Sequence, residues 1–238
     1  MGQIFTLTVR QLTGSRRLWL VAALVSLPVL AGLLFHAADA TATPDGFADD
    51  ITSALVASTI LPLVILLLAT AAFGNEVADR TLVYIALKPL ARWRIVLPKL
   101  LAALLVGGVP VAVSGLVAVA VIEEGDLGGA AATGAGLLVG AAAYAAIFTW
   151  AGLATRHALV IGLVYVFLWE AALAAYLDGI RYLSVRRFTL AVIEGLDHGR
   201  LATLDVSLGA GTGAVGAAIA VVGFTALAIR KLRRMDVP

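Results

Sequence analysis

Six apolar runs punctuate this chain, at 18–35, 51–73, 100–122, 127–154, 158–177 and 208–229, and polar segments separate them. A hydrocarbon layer of ~30 Å takes about 20 residues of helix to cross, so each run has the length of a transmembrane helix. Pro28, Pro62 and Pro110 fall inside the first three runs and mark places where those helices can bend. The pattern predicts an all-α, polytopic membrane protein, with one transmembrane domain over residues 1–238.

The polar segments differ in kind. In 1–17, Ile4, Phe5, Leu7, Val9 and Leu12 are interleaved with polar residues, which suits a helix lying in the membrane interface. Segment 36–50 carries Asp39, Asp45, Asp49 and Asp50 and no Lys or Arg. Segment 74–99 holds Glu76, Asp79, Arg80, Lys88, Arg92, Arg94 and Lys99. Read as a helix, it puts Val77, Thr81, Tyr84, Ile85 and Lys88 near one face. Glu76 and Arg80, four apart, form a pair of favourable sign. Pro89 ends or bends that helix. Such an element lies on the membrane surface or docks onto something beside it. Lys99, where the third run begins, can snorkel to the boundary. In 178–207, Ile180, Leu183, Val185, Phe188, Ile193 and Leu196 stand among charges. This predicts one or two short helices at the outer surface or dipping into it, with breaks at Gly179, Gly195 and Gly199.

Composition supports the membrane reading: 61% of residues are hydrophobic, 13% are charged, and mean hydropathy is +1.02. The net charge of +2 is too small to suggest a nucleic-acid partner, so the distribution of charge matters more than its sum. With the N-terminus inside, 13 of the 17 Lys and Arg residues fall in the cytoplasmic segments, and the acids divide the opposite way. Both termini are therefore expected in the cytoplasm. Without a cysteine, disulfides, thiolate nucleophiles and Cys-ligated metals are excluded.

Catalytic signatures do not emerge. The sequence has no GxxxxGK[ST], HExxH or GxSxG motif. His36, His157 and His198 fall in different segments, so no metal site is expected. Ser114 has no histidine within a span to act as its base. Glu170 is the acid set well inside a span, toward the outer end of its run. At helix centre such a charge costs about 2.5–3.5 kcal/mol on insertion scales, so it must face protein or water. Two roles stay open for it. It can contact substrate or protons in a translocation path, or it can be tied to Arg181, Tyr182 or a helix end in the segment that follows. Gly136 with Gly140, and Gly209 with Gly213, are GxxxG pairs that permit close helix approach, without fixing an oligomer interface.

Glu76, Arg80–Thr81, Leu82, Leu87, Pro89, Arg92 and Lys99 follow one another in the order acid, Arg-Thr, Leu-rich stretch, Pro, Arg and a Lys opening the third span. This order, six spans with both ends inside, and the stretch Phe167–Phe188, the end of the fifth span and the segment after it, resemble the ABC-2 type permeases, the membrane subunits of type V ABC exporters. The resemblance covers essentially the whole chain. It implies that Gly74–Pro89 is a coupling helix seated in a separate ATPase subunit, with Glu76, Asp79, Arg80, Thr81, Leu82, Tyr84, Ile85 and Pro89 at that contact. It further implies an N-terminal elbow helix, two permease copies as a homodimer and two ATPase copies. ATP and Mg2+ are then expected on the ATPase, with no cofactor on this chain, which sits in lipid in a bacterial or archaeal plasma membrane. The alternatives are a secondary transporter, which would show more intramembrane charges and internal repeats, and a membrane assembly or scaffold protein.

Overall fold

The computed structural model describes residues 2–14, 17–37, 43–78, 91–173, 183–197, 201 and 208–234. Among them every regular element is a helix. We number these α1 (Gly2–Thr13), α2 (Arg17–Ala37), α3 (44–78), α4 (Trp93–Ile122), α5 (Leu127–Ala154), α6 (158–173), α7 (Val185–Leu196) and α8 (Ala210–Arg233). Five of them are long and apolar enough to cross a membrane: α2, Pro44–Gly74 of α3, α4, α5 and α8. In lipid a backbone must satisfy its own hydrogen bonds, and continuous helices do so.

The spans run further than the apolar runs. α3 begins at Pro44, seven residues before the second run, because Thr43 accepts from the Gly46 N–H as an N-cap and Pro44 is preset for the first turn. The acidic stretch Pro44–Asp50 is therefore helix rather than loop, and Asp49 is buried within it. α4 likewise begins at Trp93, so residues 93–99 belong to a span and not to the polar segment before it. Glu124 (φ 47°) and Gly125 (φ 102°) turn the chain between α4 and α5. Asp126 then caps α5, accepting from the Gly128 and Gly129 N–H groups at 3.1 Å each.

Three stretches are widened to π-helix: Ile51–Ile60 in α3, Leu104–Gly108 in α4 and Tyr165–Leu173 in α6. The first two stop just before Pro62 and Pro110. A proline ring crowds the carbonyl four residues back and lacks the N–H that would bond it. A widened turn relieves both problems without breaking the span.

α5 is the centre of the packing, in contact with α3, α4, α7 and α8. α2 packs against α4, where Ser114 donates to the Val25 carbonyl and His36 Nε2 lies 2.6 Å from the Val121 carbonyl oxygen. Ser114 is thus a tie between helices. α2 and α8 are peripheral and expose large apolar side chains, Trp19, Leu34, Ile219 and Val222 among them.

α7 is not a surface helix. Thr189 and Ile193 lie in a groove that α5 opens at Gly140 and Gly136, where an added Cβ would come within 2.1 Å of Thr189 Oγ1 and 2.3 Å of Ile193 Cγ1. At 1.5 Å rise per residue, Gly140 is about 20 Å along α5 from Leu127, near the middle of the bundle. Because Thr189 meets Gly140 and Ile193 meets Gly136, α7 starts deep and runs outward. Gly195 does not break it. That glycine admits α8, and a Cβ there would sit 2.0 Å from that of Ala210.

Candidate functional site

Two buried ionic groups organise the interior, one at the base of segment 74–99 and one where α6 meets α7.

At the base, Glu76 stands in the last turn of α3 and Lys99 in the second turn of α4. Lys99 is 2% exposed. Its Nζ meets Glu76 Oε1 at 2.5 Å, donates to the Ala72 carbonyl, and lies 4.5 Å from the centre of the Phe73 ring. A buried ammonium needs this much: an opposite charge, a further acceptor and the face of an aromatic ring. Lys99 therefore turns inward instead of snorkelling. Its partner is Glu76, the acid that the sequence pairs with Arg80. The pair locks the ends of α3 and α4 together, so the chain between them leaves and re-enters at a fixed point.

The same end gathers several helices. Phe73, Ile95, Val96, Leu153, Ala228 and Leu232 form one buried cluster, with Ile4, Trp150 and Ile229 against it. It joins the ends of α3, α5 and α8 to the start of α4, and seats α1 on them. α1 is accordingly packed on protein along one face, where Thr8 and Leu12 are buried, and its other face is open. Of the expected coupling residues, Glu76 is the one placed here. Asp79, Arg80, Thr81, Leu82, Tyr84, Ile85 and Pro89 lie outside the described residues.

The second group is Glu170, on the widened part of α6 and 1% exposed. Its carboxylate accepts three hydrogen bonds: from Tyr165 Oη at 3.0 Å, Ser184 Oγ at 2.5 Å and the Val185 N–H at 2.9 Å. Ser184 in turn accepts from the Arg187 N–H at 3.3 Å and so caps α7. Glu170 therefore neutralises the positive end of α7. Of the partners considered from sequence, Arg181 and Tyr182 lie outside the described residues, and the helix end is one that Glu170 uses. It does so near mid-depth, close to Tyr144 and Phe148 of α5, and not at a boundary. Tyr144 is fully buried beside the same carboxylate. Nothing in the local sequence marks Ser184 and Val185 as its partners, since they lie 14 and 15 residues away on another helix. Among the described residues no cluster of His, Asp and Glu could hold a metal ion.

Beside this junction α5, α6, α7 and α8 enclose an apolar groove of about 490 Å³, with Tyr165, Trp169, Phe188 and Phe224 in its walls.

Long apolar helices, packed with ionic groups paired inside, define a multi-pass membrane protein. Residues 15–177 match the family described as ABC-2 family transporter protein, and the chain belongs to that family. Its members are membrane components of ABC transporters, which work with an ABC ATPase. No curated protein matches the sequence.

Proposed function

We propose that this chain is the permease subunit of an ATP-driven exporter, and that segment 74–99 couples it to a separate ATPase. The observation that carries the proposal is the Glu76–Lys99 lock. A partner gripping a segment anchored at one ionic point moves α3 and α4 as a unit. Without the lock the two helices would yield separately. Glu76, Asp79 and Arg80 orient the contact, Leu82, Tyr84 and Ile85 pack it, and Pro89 ends it. ATP and Mg2+ belong to the ATPase, which is taken to be present in two copies with a homodimer of permeases.

Six crossings with both ends in the cytoplasm fit this reading. Ile4 of α1 and Leu232 of α8 share one cluster, so the chain starts and finishes at the same end of the bundle. A return to the same end needs an even number of crossings, and five helices are long enough. α6 rising to mid-depth and α7 continuing outward supply the sixth, joined by Glu170. The Lys/Arg bias puts the shared end inside.

Co-purification tests the coupling. Arg80→Glu with Tyr84→Ala is expected to leave membrane insertion intact while the ATPase no longer co-purifies. A double variant that keeps the ATPase and full substrate-stimulated hydrolysis overturns the assignment.

A further inference from the structure

Arg17 opens α2, and Arg156 stands in the short turn between α5 and α6. They are far apart in sequence, yet both line one cavity of about 200 Å³, walled by Leu67, Thr70 and Ala71 of α3 and by Leu159 of α6. No acid lines it. The polar groups of the wall are engaged elsewhere: the Thr70 hydroxyl donates to the Leu66 carbonyl at 2.6 Å, and Thr155 Oγ1 accepts from the His157 N–H at 3.2 Å. Neither arginine has an ion-pair partner among the described residues. The two guanidiniums are therefore the uncommitted donors of the site, and both are exposed.

We propose that this cavity binds the phosphate of an anionic phospholipid. Paired guanidiniums present forked donors that match phosphate oxygens. The depth also fits, because Arg17 is the first residue of a span and Arg156 lies in a turn between spans, where headgroups sit. From the cavity an apolar face continues along α6 through Leu159, Val160, Ile161 and Val164, all exposed, and offers the acyl chains a path. A soluble phosphate would make no use of that face. The lipid bridges α2, α3 and the α5–α6 turn. Its leaflet, the cytoplasmic one, rests on the topology proposed above; the site itself does not.

Native mass spectrometry of the full chain tests this without any ATPase, so the outcome is independent of the coupling proposal. The probes are phosphatidylglycerol and phosphatidylcholine with identical dioleoyl chains, and inorganic phosphate as competitor. The wild-type chain is expected to retain phosphatidylglycerol in preference. Arg17→Gln and Arg156→Gln should each weaken that retention about fivefold, and the double variant roughly 25-fold. Arg230→Gln with Lys231→Gln, outside the cavity, should leave it unchanged. Equal retention of the two lipids by wild type overturns the proposal whether or not any variant folds. So does a double variant that retains phosphatidylglycerol fully, or an equal loss in the Arg230/Lys231 control. Displacement of the lipid by inorganic phosphate at matching concentration would also overturn it, marking a soluble-anion site.

Discussion

Glu170 and Lys99 are single side chains whose removal leaves buried partners without a counterpart. Replacing Glu170 by Ala strands the Ser184 hydroxyl and the Val185 N–H, and each unsatisfied buried group costs about 1–3 kcal/mol. Glu170→Ala is expected to lower the melting temperature in detergent clearly, and Glu170→Gln, which keeps an acceptor, to lower it less. Tryptophan fluorescence on heating measures both, and identical melting for Ala and wild type would exclude the capping role. Lys99→Met leaves Glu76 beside an apolar surface. Breaking a buried pair costs about 3–5 kcal/mol, and the 18% exposure of Glu76 puts this case at or below the lower end. Adding Glu76→Gln should restore much of the loss, since no charge is then stranded. A double variant no more stable than Lys99→Met alone would show that the two residues do not act as a pair.

Among the elements, α7 shows what patterning can and cannot give. Its apolar positions announce a short helix, and Ser184 caps it as such a residue should. Its place in the groove at Gly136 and Gly140 depends on α5, some fifty residues earlier, so the local pattern is equally consistent with a surface helix. Gly136→Ala should be destabilising by about 1–3 kcal/mol through overpacking against Ile193. Ile193→Ala in the same chain removes the clashing atoms and should give back part of that loss. Additive losses, read from melting temperatures, would mean the two helices do not meet there. Gly136 and Gly140 thus serve a contact within the chain, and of the second pair Gly213 of α8 approaches Ala191 and Phe188 of α7 in the same way.

For the whole molecule the decisive quantity is sidedness. The chain has no cysteine, so single introduced thiols report on it cleanly. Asp45→Cys and Ala91→Cys are expected to react with an impermeant thiol reagent from opposite sides of the membrane. Labelling of both from one side would rule out six crossings with both ends inside. Exposed apolar faces on α2 and α8 remain for lipid or for the second permease copy proposed above.

What the sequence determined by itself is the class of molecule: runs long enough to cross a bilayer, basic residues concentrated in alternate segments, and a polar segment after the second run. These are properties of local composition and length, and folding does not rearrange them. The tertiary structure decided where the buried charges go. Glu76 has Lys99, across the polar segment, as a buried partner that no local spacing announces. For Glu170 the sequence left two roles open, and packing chose the helix end, that of a helix starting deep in the bundle. In both cases the reason is the same. A charge in a low-dielectric interior is stable only where several groups converge on it, and that convergence is a fact of packing between helices that no stretch of the chain encodes alone.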